Sequence, residues 1–234
     1  MFDFEKVSSS YECYFCVTRH DGRKSSYRKV EHFEAQRVGD EFWFTFFAPT
    51  DEVLEGEPTD TTAKADLQFD KILCPYTLIV DANGKFMGIK DFDKSKRSHF
   101  NFCKLSPDVY ELASFYAKPL SSEKILLGVL KRNVIYNLLF WKDNLPQQEL
   151  EFPTFPTPKM ITIFSFEDGV KEDGHVVFKT DSVYEERDHF LKSGDCTINI
   201  RRDADGLPGE ISLVANVDRI NYGMFKREIT LRRL

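Results

Sequence analysis

Cys13 and Cys16 are the residues whose types and spacing first suggest chemistry. Two thiols three residues apart bind zinc when a second pair completes the tetrahedron, or exchange a disulfide when a helix start lowers a thiol pKa. Neither condition is met. Tyr11, Cys13, Phe15 and Val17 fall at alternate positions, the period of a half-buried strand. On a strand, residues three apart face opposite sides, which separates the two thiols. The five cysteines are scattered without a framework spacing, so neither a metal site nor a disulfide scaffold is expected.

Other ligand types are equally dispersed. The histidines, His20, His32, His99, His175 and His189, form no His-x-x-x-His pair. His32 and Glu34 share one strand face, the start of a metal site at most or a solvated pair. Asp203-Ala204-Asp205-Gly206 opens like a calcium loop, but Leu207, Pro208 and Gly209 stand where later ligands belong, and Glu210 comes too early. No glycine-rich phosphate loop, nucleophile elbow or dinucleotide fingerprint occurs. Catalysis would need carboxylates and histidines from distant segments to converge in a cleft. No catalytic residue, cofactor or metal is therefore assigned.

Composition narrows the class. Hydrophobic residues make up 41% and charged residues 30%, the balance of a packed globular protein. The formal net charge is −6 and both halves, divided near residue 144, are mildly acidic. A nucleic-acid partner is disfavoured, because no basic face is visible for a phosphate backbone. The start, Met1-Phe2-Asp3-Phe4-Glu5-Lys6, has neither a basic nor an apolar leader region, and no run is long enough to span a bilayer. With reduced thiols, this points to a cytoplasmic protein, or an exported one if a leader has been removed.

The outlier is aromatic content, with 22 Phe, many at alternate strand positions. Phe fills space between a sheet and its cover with a large apolar area and no polar atom to satisfy. Such a face is a bulky core or the lining of an apolar cavity.

The elements that must position this face read as two β-rich blocks, 1–95 and 160–234, around a helical middle, 105–143. Phe42, Phe44, Phe46 and Ala48 form one strand face, with Trp43 and Phe47 on a second covered face. A third strand is expected over 26–35, entering a turn at Gly39-Asp40. Tyr76–Val80 and Lys85–Ile89 flank Asp81-Ala82-Asn83-Gly84, whose Asn-Gly predicts a two-residue type I′ hairpin. Ser106-Pro107-Asp108 starts a short helix with Leu105 and Tyr110 as a hydrophobic staple. A long amphipathic helix then spans 121–143, capped by Ser121 or Ser122. Leu126, Leu127, Leu130, Val134, Ile135, Leu138, Leu139 and Trp141 form its broad stripe, opposite Lys131, Arg132, Asn133 and Asn137.

Residues 49–66 are acidic and read as a long mobile loop, and 145–159 as a proline-rich strap or linker. Ile161–Phe166 and His175–Lys179 are expected to pair as a hairpin about Glu167-Asp168-Gly169. Three regular strands close the chain, with turns at Gly206 and Gly223 and Pro208 at a strand start. Thr77–Gly84 and Thr197–Gly206 echo each other, through a duplicated β-block or a shared strand-turn chemistry.

Arg219-Ile220-Asn221-Tyr222-Gly223-Met224, followed by Glu228-Ile229-Thr230-Leu231, resembles the closing strands of bacterial polyisoprenoid-binding lipocalin-like barrels. The layout is similar in architecture to bacterial lipoprotein carriers, in which an antiparallel sheet cups helices over an apolar cavity. Neither resemblance extends far enough to assign a family.

The expectation is an α+β, mostly β protein. A strongly curved antiparallel sheet of about nine to eleven strands, a half-barrel or open barrel, packs around the central long helix. The chain forms a single domain over 1–234, or alternatively two β-rich subdomains split near 145–159. The leading function is non-enzymatic binding of an apolar or lipid-like small molecule between sheet and helix. Phe42, Phe44, Phe46, Leu78, Ile198, Leu213, Leu130 and Trp141 are the expected lining. The alternative is a protein–protein interaction module that uses the acidic 49–66 segment and the proline-rich 145–159 segment to hold a protein partner.

Overall fold

The computed structural model describes residues 2–56, 74–92, 122–131, 133–143, 147–153, 161–185 and 190–234. The helix start at Ser106, most of the acidic and proline-rich segments, and His99 and His189 lie outside them. The fold is mostly antiparallel β, with two short helices among the described residues.

The N-terminal block forms β1 (Lys6–Thr18), β2 (Lys24–Val38), β3 (Glu41–Phe46), β4 (Thr50–Gly56), β5 (Tyr76–Asp81) and β6 (Phe86–Lys90). After the helices come β7 (Gln148–Pro153), β8 (Ile161–Phe166), β9 (Val170–Glu172), β10 (His175–Thr180) and β11 (Val183–Glu185). The chain ends in β12 (Leu191–Arg202), β13 (Pro208–Arg219) and β14 (Gly223–Arg233), with Pro208 first in its strand as expected.

Eleven strands make one sheet in the order β6-β5-β3-β2-β1-β14-β13-β12-β10-β9, with β4 paired beside β2. The two blocks join through β1 and β14, where Cys13 lies opposite Leu231 and Phe15 opposite Ile229. The sheet is open, since β6 and β9 do not pair. A second sheet, which the sequence did not suggest, has the order β11-β8-β7.

Period-two alternation turns one face of the large sheet inward. Across the strands, Phe178, Ile198, Leu213, Ile229, Phe15 and Tyr27 lie opposite one another in turn. A second run of opposite pairs goes from Phe33 through Phe46 to Tyr76. On the outer face of β3, Glu41, Trp43 and Thr45 are half-buried. Trp43 carries the Lys90 ammonium 4.1 Å above its ring, and Phe47 is exposed.

Several expectations change. The single helix over 121–143 is two helices, α1 (Glu123–Leu130) and α2 (Val134–Leu139). The break falls at Asn133, whose backbone is extended and whose side chain accepts a hydrogen bond from Ile135 N at 2.9 Å. Asparagine prefers this capping role to a helix interior because its amide competes for backbone groups. Trp141 lies just beyond the end of α2, its N–H donating to Leu138 O at 3.3 Å. Ser122 stands at the start of α1 but makes no side-chain cap. The first-turn Glu123 instead accepts from Ile89 N on β6 at 2.8 Å.

Part of the acidic segment is strand: β4 continues the line of β3 along β2, with Val53 opposite Arg28. Part of the proline-rich strap is strand β7, paired with β8. The hairpin expected about Glu167-Asp168-Gly169 does not form, because β8 belongs to the small sheet and β10 to the large one. The real hairpin is β9–β10, turning at Asp173 and Gly174, both at positive φ. Gly169 makes the crossing between sheets possible: a Cβ there would lie 2.6 Å from Val176 Cγ1.

The Asp81–Gly84 hairpin forms, but not as a type I′ turn. Gly84 has positive φ and Asn83 does not, and Gly84 N donates to Asp81 O while Asp81 N donates to Lys85 O. The same pair of bonds closes Asp203–Leu207 and Arg19–Arg23. Three occurrences of one turn make shared turn chemistry a sufficient cause of the echo between residues 77–84 and 197–206.

Candidate functional site

The eight expected lining residues, Phe42, Phe44, Phe46, Leu78, Ile198, Leu213, Leu130 and Trp141, are all buried and belong to one contiguous apolar cluster. Within it they form two groups. Phe42, Phe44 and Phe46 lie on β3 with Leu78 opposite Phe44 on β5. Ile198 and Leu213 are opposite each other on β12 and β13, next to Phe178 on β10. Trp141 reaches this second group, its ring perpendicular to those of Phe166 and Phe178 at 5.4 and 5.6 Å. Leu130 closes α1, the helix that packs on β6.

The face also contains residues that sequence reasoning missed. Phe140, at the end of α2, sets its ring 4.8 Å from Phe44. Tyr136 packs 4.6 Å from Phe46 and shares a phenol–phenol hydrogen bond with Tyr76. Most telling are Phe2 and Phe4, which precede β1 in irregular chain. Phe2 lies 5.3 Å from both Phe42 and Phe44 and 6.0 Å from Phe140, and Phe4 lies 5.3 Å from Phe42. Their segment is tied down by Asp3 N donating to Asp205 O and Arg37 N donating to Glu5 O. Alternation gave no signal for them, because their even parity is out of phase with the inward Tyr11, Cys13 and Phe15 of β1.

Two ion pairs interrupt the apolar surroundings. Lys29 and Glu31 fall on the inward face of β2 beside Phe33, with Nζ 2.5 Å from Oε1 and both side chains buried. Their parity with Phe33 and Ala35 was legible. Arg219 on β13 pairs with Glu185 on β11, and Thr162 Oγ1 accepts from Arg219 Nη2 at 3.1 Å.

Polar groups at one end of the face are structural. Tyr11 donates to Pro208 O at 2.5 Å, and burial raises its phenol well above the ordinary value, against the lowering field of Arg233. Arg202 holds both carboxylate oxygens of Asp143 and donates to Trp141 O and Gly206 O, which fixes the chain after α2 against the β12–β13 turn. Asp203 and Asp205, in the run that only opens like a calcium loop, grip Arg233 at 3.2 and 2.7 Å. His32 bridges Ser10 Oγ and Thr50 Oγ1, linking three strands. Cys13 lies on the inward face, its thiol donating to Tyr11 O. Burial pushes the Cys196 thiol far above its usual range, which leaves it inert. Among the described residues no group of three or more His, Cys, Asp or Glu could hold a metal ion. Nor, among them, is any helix long and apolar enough to cross a membrane.

No protein family matches the chain, and no curated protein sequence does. Among solved structures, one concerned with lipid–protein interactions in lipovitellin superposes with a TM-score of 0.48 at 14% identity. It covers 100% of this chain, which corresponds to 25% of the length of that one.

Proposed function

We propose that this chain is a non-enzymatic binding protein that takes an apolar or amphipathic, lipid-like molecule against its Phe-rich sheet face. The ligand occupies the place that Phe2 and Phe4 fill in the free protein. The observation that carries this reading is the cover over Phe42, Phe44 and Phe140. Two rings from irregular chain close that part of the face, in place of a helix or strand.

Magnitudes favour exchange. Phe2 and Phe4 are only partly buried, so together they contribute less than two fully buried Phe side chains, which give about 3–6 kcal/mol at about 1.5–3 kcal/mol each. A dodecyl chain carries about 9 kcal/mol at about 0.8 kcal/mol per CH₂, before the cost of immobilising it. A long acyl chain therefore gains more apolar burial than the two rings give up, whereas a short one does not. Phe42, Phe44, Leu78 and Phe140 would line the exchanged space. Phe46, Leu130, Trp141, Ile198 and Leu213 would extend the apolar face behind it. The interaction-module reading has less support, because residues 50–56 and 148–153 serve as strands in the two sheets.

Native mass spectrometry with lauroyl lysophosphatidylcholine tests the proposal. One adduct per chain is expected, with higher occupancy in Phe2→Ala/Phe4→Ala. Protein that stays free of adduct in both forms, at any lipid excess, overturns it.

A further inference from the structure

Hairpin tips are ordinarily polar, since a turn side chain has little to pack against. The turn from β13 to β14 departs from this. Ile220, Tyr222 and Met224 are 47%, 37% and 53% exposed, and Phe190, preceding β12, is 38% exposed.

These residues converge on one end of the large sheet. Ile220 N donates to Phe190 O at 2.7 Å, and the exposed rings of Phe190 and Tyr222 stand perpendicular at 6.1 Å. The β1–β2 turn lies against the same tip, so close that a Cβ on Gly223 would be 2.8 Å from His20 Cβ. His20 in turn packs edge-on to Phe225.

Charge at this end runs against the rest of the chain. Arg19, Arg23, Lys24, Lys192 and Lys226 stand around the apolar tip against Asp21, Asp195, Asp218 and Glu228, a small positive excess in a protein of net charge −6. Pairing register puts Lys24 and Lys226 on either side of Thr18, on the strands that flank β1. Asp21 is engaged by Arg23, Asp218 by Lys192 and Glu228 by Lys226.

We propose that this tip is a membrane-contact surface, with Phe190, Ile220, Tyr222 and Met224 entering the headgroup–acyl boundary of an anionic bilayer under a collar of Arg and Lys. Aromatic rings favour that depth, and cations near an anionic surface each add attraction. Four apolar side chains at one end of a sheet are far fewer than the roughly 20–30 residues each side of a stable protein interface uses. A bilayer requires no such area, and it accepts a projecting tip without a matching shape. The positive collar also fixes orientation, because an acidic protein approaching any other way is repelled.

The test is vesicle co-sedimentation of the full chain. One set of vesicles is phosphatidylcholine alone, and the other is an equal mixture with phosphatidylglycerol. Wild type is expected to sediment with the anionic vesicles and to release as salt is raised. Ile220→Ser/Met224→Ser, at positions that bury little, should retain the wild-type melting temperature and bind about tenfold or more weakly. Met87→Ser/Val170→Ser, which removes exposed apolar groups elsewhere, should bind as wild type. Equal binding by all three proteins overturns the proposal. So does wild type that stays in solution with both vesicles, which would pass the patch to a protein partner.

Discussion

Arg219 on β13 and Glu185 on β11 form an ion pair with 0% and 1% of their side-chain surfaces exposed, and it ties the large sheet to the small one. Removing one member leaves a buried charge without its counter-ion, at a cost of about 3–5 kcal/mol, whereas replacing both by apolar groups of similar volume is often close to neutral. Glu185→Ala should therefore lose most of that stability in urea unfolding. The double variant Arg219→Met/Glu185→Leu should recover it. A double variant as unstable as the single would mean that the pair's hydrogen bonds, not its charge balance, hold the sheets.

Asn133 divides the helical segment. Asn133→Ala removes the oxygen that caps Ile135 N and should cost about 1 kcal/mol by denaturant midpoint. Asn133→Asp, which keeps an acceptor, should cost little.

Gly169 crosses between the sheets in contact with Val176 and Phe178. A methyl group there forces these side chains apart, so Gly169→Ala should destabilise by about 1–3 kcal/mol. Pairing it with Val176→Ala, which removes the nearest clashing methyl, should restore part of the loss.

Asp205 gives the fold an acid-sensitive contact. Burial raises its carboxyl pKa, but hydrogen bonds from Arg233 and from Leu207 N outweigh this and hold it below the ordinary value. A carboxylate depressed by folding contributes stability above its unfolded pKa, near 3.9, and loses it as pH falls through the folded value. Melting temperatures of wild type and Asp205→Asn should accordingly differ at neutral pH and converge below about pH 4. A difference that persists in acid would place the effect in shape and not in charge.

Strand positions were legible because alternation is local. Phe42, Phe44 and Phe46 share a face whatever lies against them, and the register of β12 to β14 follows from Ile198, Leu213 and Ile229 meeting side by side. What pairs with what was less legible. Ile161–Phe166 and His175–Thr180 look like hairpin partners by local pattern, yet they fall in two sheets, β8 between β7 and β11 and β10 between β9 and β12. The helix break was written in Asn133, whose capping preference competed with a continuous apolar stripe through Leu130 and Val134. Of the site, the inward face was readable from parity. Its cover was not, since Phe2 and Phe4 reach Phe42 and Phe44 through irregular chain that has no period to follow.

The central claim is that the Phe2 and Phe4 rings hold the place of a long apolar chain. Titration with cis-parinaric acid, a fluorescent polyene fatty acid, measures this directly. The account predicts saturation at one probe per chain, competition by lauroyl lysophosphatidylcholine, and binding several-fold tighter in Phe2→Ala/Phe4→Ala. Fluorescence that fails to saturate in both proteins, or an affinity that the double variant leaves unchanged, would contradict it.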